Sequence, residues 1–236
     1  VVYSLWRGFR TGSRWAFAGS GFLLGASMYT YQAARLLPLL VLVGFGAVAW
    51  SRSSVTRADV LNLGIVIAVS VVVFAPLGYY FVQHPGSFGG RAEQAFVLSD
   101  TSETPGGAQA LLDQTIKLLL MFGIRGDSEP FSTIPRRPAL SPFLALALGL
   151  GIIICLRHLR TPSYLLVVTW LALMSVPGMV AQYGPTAKRT IGALPAVTML
   201  VAIGLLVPCD AIRRRAGRRA GAVSRMPYLV ATLIVI

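Results

Sequence analysis

A chain of 236 residues that is 55% apolar and only 12% charged, with a mean hydropathy of +0.70, is not an ordinary soluble domain, where charged residues reach about 25%. Its formal net charge of +13 does not point to nucleic acid, because the basic residues sit in short links between apolar runs, the pattern that sets topology in membrane proteins. The runs are continuous, whereas barrel strands would alternate over about 10 residues, so the expected fold is an all-α, polytopic transmembrane bundle.

Val1 to Arg14 carries Arg7, Arg10 and Arg14 and no acid. The apolar run from Trp15 to Trp50 is far longer than the ~20 residues that cross a bilayer, and MYTYQAARLLP, Met28 to Pro38, interrupts it. Two spans are therefore expected, Trp15 to about Thr30 and Leu36 to Trp50, meeting at one membrane surface. Tyr29 and Tyr31 suit that depth, since a tyrosine ring is apolar while its hydroxyl needs a partner. Pro38 fits the first turn of the second span, where a missing N–H costs nothing. Gly21 and Gly25 give the first span a GxxxG spacing, read as packing within the bundle.

After the basic loop SRSSVTRAD, a third span is expected from Leu61 to Val82, with Pro76 in its interior and Tyr79, Tyr80 and Phe81 as an aromatic belt at its exit. Residues 83–140 form the one long polar segment, and GAQALLDQTIKLLLMFG lies within it. There Gln109, Asp113 and Lys117 recur on one face opposite Leu111, Leu112, Ile116, Leu119 and Leu120. That pattern predicts an amphipathic helix in the interface plane, with Asp113 and Lys117 as an i, i+4 pair. The RGD tripeptide at 125–127 reads as a turn. Spans at Ser141–Leu156, Ser163–Gln182 and Ile191–Cys209 follow, linked by RHLRTP and YGPTAKR, and then a basic link, DAIRRRAGRRAGAVSRM. The final stretch from Pro227 is the start of a seventh span. Since the sequence also opens without methionine, it reads as cut at both ends.

The domain reading is thus three spans in residues 1–82, an external loop with an interfacial helix in 83–140, and three spans plus the start of another in 141–236. Orientation follows from the basic residues. Arg7, Arg10, Arg14, Arg52, Arg57, Arg157, Arg160 and the arginines between 213 and 225 fall on one side, and most of the acids fall on the other. The positive-inside rule then puts residues 83–140 outside.

Several chemistries lack their residues. No Gly-Lys-Ser/Thr phosphate loop and no HExxH motif occur, and the two histidines, His84 and His158, fall on opposite sides. No cofactor and no metal is expected. Cys155 and Cys209 read as buried thiols. The spans carry no acid at mid-membrane, which argues against a proton-relay transporter. The external face does carry cations at three junctions: Arg35, His84 with Arg91, and Lys188 with Arg189. Such groups can neutralise a phosphate, and arginine can do so through two hydrogen bonds. They can equally snorkel to headgroups or pair with Glu93, Asp100, Asp127 or Glu129.

The stretches GFLLGASMYTYQAARLLPLL, YYFVQHPGSFGGRAEQAFVLSD and GPTAKRTIGALPAV resemble segments of the bacterial polytopic glycosyltransferases of the GT-C fold. The nearer branch is that of the dolichyl-phosphate-mannose protein mannosyltransferases and the aminoarabinose lipid A transferases. The resemblance covers most of residues 14–205. It implies a cell-envelope transferase of a bacterial-type plasma membrane that moves a sugar from a polyprenyl-phosphate donor to a hydroxyl of an acceptor protein, lipid or glycan on the outer side. In that family the acid that activates the acceptor lies in the first external loop, and the resemblance places that loop before residue 1. The part present would supply the lipid side. Arg35, His84, Arg91, Lys188 and Arg189 would serve the donor phosphate, and Tyr29 and Tyr31 the sugar or isoprenoid. The competing expectation is a transporter or flippase of lipid-linked saccharides, which should show internal repeats or broken helices in matched positions.

Overall fold

The computed structural model describes residues 1–87, 107–126, 135–180 and 186–217. Arg91 and the expected seventh span lie outside these. Among the described residues the chain is helical, with no strand. Its elements are α1 (Val2–Thr11), α2 (Arg14–Ser27), a 3-10 turn (Gln32–Leu36), α3 (Leu37–Arg52), α4 (Arg57–Gln83), α5 (Gly107–Gly123), α6 (Pro142–Arg157), α7 (Pro162–Met179), a second 3-10 turn (Ile191–Ala193) and α8 (Leu194–Gly217).

Among the described residues four segments are long and apolar enough to cross a membrane: Gln32–Arg52, Arg57–Gln83, Pro162–Met179 and Ile191–Asp210. The short span expected from Leu36 to Trp50 gains its length by running through its polar ends, from the 3-10 turn at Gln32 to Arg52. Helix α2 has 14 residues, or about 21 Å of rise against the ~30 Å of a hydrocarbon core. It is shorter than the span expected from Trp15 to Thr30, because a turn at Met28–Thr30 closes it early.

The basic segment before it is itself helical. Leu5, Gly8 and Phe9 give α1 one packed side, and Gly12, at φ 66°, turns the chain back into α2. The α1–α2 hairpin closes over Phe9, Phe17 and Phe45, with ring centroids 4.8–5.7 Å apart. Leu24, Val41 and Val66 complete this core.

Glycines set the two tightest crossings. A Cβ on Gly21 would lie 2.5 Å from the Val66 carbonyl oxygen, and one on Gly25 would lie 2.7 Å from that of Ser70. The GxxxG of α2 is therefore a packing face against α4 within this chain. Its register, with 21 beside 66 and 25 beside 70, makes α2 and α4 parallel. On the other side of the bundle, Gly151 of α6 abuts the Leu200 carbonyl and Gly204 of α8 abuts that of Ala147. Ala147, Leu148, Cys155, Val197, Leu200 and Val201 form the core there. Helix α7 joins the halves by packing on both α3 and α8.

Helix starts follow local chemistry. Pro38, Pro142 and Pro162 occupy first turns, and α4 opens with a reciprocal capping box between Thr56 and Asp59. Helix α8 departs from expectation at its far end: Asp210–Gly217, read as a link, continues the helix. Arginine and alanine are strong helix formers, and neither glycine nor proline interrupts Asp210 to Ala216.

Helix α5 has the expected bounds to within a residue, and its Lys117–Asp113 ion pair forms. Gln109, Asp113 and Lys117 are exposed. The packed face differs from the apolar set read in the sequence. Gln114, Leu118 and Met121 are buried against the bundle, while Leu112, Ile116 and Leu119 are exposed. The helix contacts α6 and α7 through this narrow seam, which buries one residue per turn and leaves the bulkier stripe outside. Backbone hydrogen bonds from Ala139 and Leu140 to the carbonyls of Met121 and Phe122 fasten its end. At the RGD tripeptide, Arg125 bends away from the end of α5 and the Gly126 N–H donates to the Arg136 carbonyl at 3.2 Å; Asp127 lies outside the described residues, so the tripeptide as a whole is not described.

Candidate functional site

The corner from Met28 to Pro38 sits against the last turns of α4. The half-exposed Tyr29 donates its hydroxyl proton to the Val73 carbonyl at 2.9 Å, in the turn of α4 that precedes Pro76. Tyr31, also exposed, starts the 3-10 turn, its carbonyl accepting from Ala34 N–H at 2.9 Å. Arg35 falls in the last part of that turn and is half-buried. Its guanidinium carbon lies 5.7 Å from the centroid of the Phe81 ring, within cation–π range.

Phe81 is the hub of an aromatic group at the end of α4. Its ring is 6.5 Å from that of Phe74 and 6.0 Å from that of Tyr80. Tyr80 in turn stacks on His84, with centroids 4.5 Å apart and planes 20° from parallel. His84 Nδ1 lies 3.1 Å from the Tyr80 carbonyl oxygen. A carbonyl only accepts, so Nδ1 carries the proton and a neutral ring presents Nε2 as an acceptor. Tyr29, Arg35 and His84, distant in sequence, are thereby gathered around the last three turns of α4.

Beside this group runs an apolar groove of about 370 Å³ between α2, α3 and α4. Leu24, Met28, Pro38, Leu42, Val71 and Phe74 are among its lining residues, and Ser70 contributes a hydroxyl. That hydroxyl donates to the Ile67 carbonyl at 2.9 Å, so the groove offers a ligand almost nothing but hydrocarbon. Phe74 belongs both to its wall and to the aromatic group that reaches Arg35 through Phe81.

Lys188 and Arg189 lie on a turn fixed from behind. The buried Thr190 directs its hydroxyl to the carbonyls of Thr186 and Ala187, at 3.2 and 3.3 Å. Trp170 of α7 donates its indole N–H to the Gly192 carbonyl at 3.0 Å, and a Cβ on Gly192 would approach Met174 Sδ at 3.0 Å. Lys188 is exposed and Arg189 half-buried. The second 3-10 turn, which directly follows Lys188, Arg189 and Thr190, and the 3-10 turn that carries Arg35 pack against the same helix, α7.

Sequence reasoning missed Trp170 as the anchor of the Lys188–Arg189 turn, and it missed the groove. A lone tryptophan inside an apolar run signals nothing by spacing, and a groove between helices that are apolar all round leaves no periodic trace. It also missed Gln114, which is 7% exposed and whose Oε1 has no hydrogen-bond partner among the described residues.

The fold and its corner define a class: four helices long and apolar enough to span a bilayer mark a helical membrane protein, with cations and aromatic rings gathered at the helix junctions. The chain matches no known protein family, no curated protein and no solved structure.

Proposed function

We propose that this chain is part of an integral membrane glycosyltransferase that moves a sugar from a polyprenyl-phosphate donor to an acceptor hydroxyl on the outer side of a bacterial-type plasma membrane. The observation that carries the reading is the apolar groove connected through Phe74 and Phe81 to Arg35. An isoprenoid tail lies in hydrocarbon already, so what an apolar groove supplies is a fixed track of packing contacts that orients it. Its phosphate needs a cation at the end of that groove.

In this scheme Arg35, Lys188 and Arg189 hold the donor phosphate, and Tyr29, Tyr31 and His84 flank it. The bond from the sugar's anomeric carbon to the phosphate oxygen breaks, and a bond from that carbon to the acceptor oxygen forms. The acceptor's proton passes to a base, for which no residue is proposed, and the lipid phosphate leaves. The leaving group is already good, so the cations contribute by stabilising its growing charge. Residues 83–140 face the same outer side, and the acceptor is a protein, lipid or glycan.

The test is occlusion of the groove. Val71 lines it and is 57% exposed, so Val71→Trp can fill it without disturbing the core. A photoactivatable polyprenyl phosphate should label the unmodified protein on α2, α3 or α4 and label the variant far less. Equal labelling of both, or labelling elsewhere, refutes the groove as the tail site. If instead lipid-linked saccharide crosses vesicles of the purified protein with no sugar transferred, the protein is a flippase.

A further inference from the structure

The opposite end of the first half of the bundle carries a second charged surface. The parallel register of α2 and α4 puts Arg14, at the start of α2, level with the first turn of α4, where Arg57 lies. Gly12 folds α1 back beside α2, so Arg10 belongs to the same tip and Arg7 lies one turn further along α1. The chain between α3 and α4 adds Arg52. All five guanidinium-bearing residues are exposed.

The single acid of α1–α4, Asp59, is already engaged. Asp59 accepts from the Thr56 backbone N–H at 3.0 Å and from its hydroxyl at 2.7 Å, and Arg52 lies 3.6 Å from its other oxygen. Among the described residues Arg7, Arg10, Arg14 and Arg57 have no ion-pair partner. Beside the arginines stand two large aromatic side chains facing outward, Trp15 at 86% and Trp50 at 62% exposure. Indole rings favour headgroup depth, so these two fix the level at which the arginines meet the leaflet.

We propose that this end of the α1–α4 unit is a binding surface for anionic phospholipid headgroups, with Arg7, Arg10 and Arg14 as its principal contacts and Trp15 and Trp50 as its depth anchors. The partner is an acidic leaflet because the surface is cationic, has no free carboxylate among the described residues and is bordered by membrane-interface aromatics. The surface is independent of the sugar-transfer reading, being built from the opposite ends of α2, α3 and α4.

The test is lipid retention by the full chain released from nanodiscs of mixed phosphatidylglycerol and phosphatidylcholine, read by native mass spectrometry. The unmodified protein should retain phosphatidylglycerol preferentially. Arg14→Gln should weaken that preference about fivefold at low salt, Arg7→Gln/Arg10→Gln/Arg14→Gln should abolish it, and the corresponding triple lysine variant should keep most of it. High salt should erase the preference in the unmodified protein, a reading that needs no variant to fold. A preference that is missing in the unmodified protein, persists in high salt, or survives in Arg14→Gln and the triple glutamine variant alike overturns the proposal.

Discussion

Replacing Gly151 with alanine should destabilise the bundle, although alanine in a helix is ordinarily preferred to glycine by about 1 kcal/mol. A Cβ at this position would run into the carbonyl of Leu200, a backbone atom that cannot turn aside as a side-chain tip could. Helices α6 and α8 would have to part by about 1 Å, enough to forfeit roughly a quarter to a half of the dispersion energy at each atom pair across the seam. That seam includes Ala147, Leu148, Cys155, Val197, Leu200 and Val201. Overpacking of this kind costs about 1–3 kcal/mol, so the net loss after the propensity gain should be about 0–2 kcal/mol against the unmodified protein, and about 1–3 kcal/mol against an alanine that meets no clash. The neighbouring Gly149 supplies the control, since a Cβ there meets nothing within 4 Å; Gly149→Ala should be neutral or stabilising. Gly204 abuts the Ala147 carbonyl on the same crossing, so Gly151→Ala with Gly204→Ala should cost less than the sum of the two. Reversible unfolding in mixed detergent–lipid micelles measures all four proteins. If Gly151→Ala is as stable as Gly149→Ala, the close crossing of α6 and α8 is wrong.

Other expectations follow from single contacts. Tyr29→Phe removes the hydrogen bond to Val73 and should lower stability by about 0.5–1 kcal/mol, the low side of the usual range because the tyrosine is half-exposed; no change in unfolding would deny that the bond ties α2 to α4. Trp170→Phe leaves the Gly192 carbonyl without its indole donor and should cost about 1–3 kcal/mol, with faster hydrogen exchange in residues 186–193; unchanged exchange would show that the turn holds without it. Thr56→Ala dismantles the capping box of α4 and should cost about 1 kcal/mol, read by thermal unfolding. For topology, Ser54→Cys and Ser87→Cys are both exposed and lie at opposite ends of α4. An impermeant thiol reagent on intact cells should label the second and spare the first, and the reverse pattern would invert the orientation.

The helices were legible in the sequence where local chemistry marks their ends. Pro38 announced the first turn of α3, and Asp113 with Lys117 announced the polar side of α5. What the sequence concealed was which faces meet. In α4, α6, α7 and α8 apolar residues surround the helix, so the 3.6-residue period that normally names the packed side carries no information. The glycines decide it: Gly21 and Gly25 set the α2–α4 register, and Gly151 and Gly204 set the α6–α8 crossing. Helix α5 misled for a related reason, since its bulkiest stripe, Leu112, Ile116 and Leu119, faces outward while Gln114 is buried. Helix α1 was hidden because its arginines drew the eye to charge, when Leu5, Gly8 and Phe9 already marked a packed side. Of the residues singled out for the site, Tyr29, Arg35 and His84 are gathered at one end of α4, and Lys188 and Arg189 precede the second 3-10 turn, which shares α7 with the turn of Arg35. The groove beside them arises from three helices far apart in sequence, which no single stretch could display.

The central claim, that Arg35 holds the phosphate of a lipid-linked donor, is tested most directly by titrating a polyprenyl-phosphate sugar into the purified protein and its Arg35→Ala and Arg35→Lys variants. A charge-assisted hydrogen bond is worth about 1.5–3 kcal/mol, so Arg35→Ala should weaken donor binding by about 10- to 150-fold. Arg35→Lys should recover only part of that, because a point charge does not reproduce the planar two-bond contact, and neither change should lower the amount of folded protein. Donor affinity within twofold or so of the unmodified protein in Arg35→Ala would reduce Arg35 to a partner of Phe81 at the membrane edge and contradict the account.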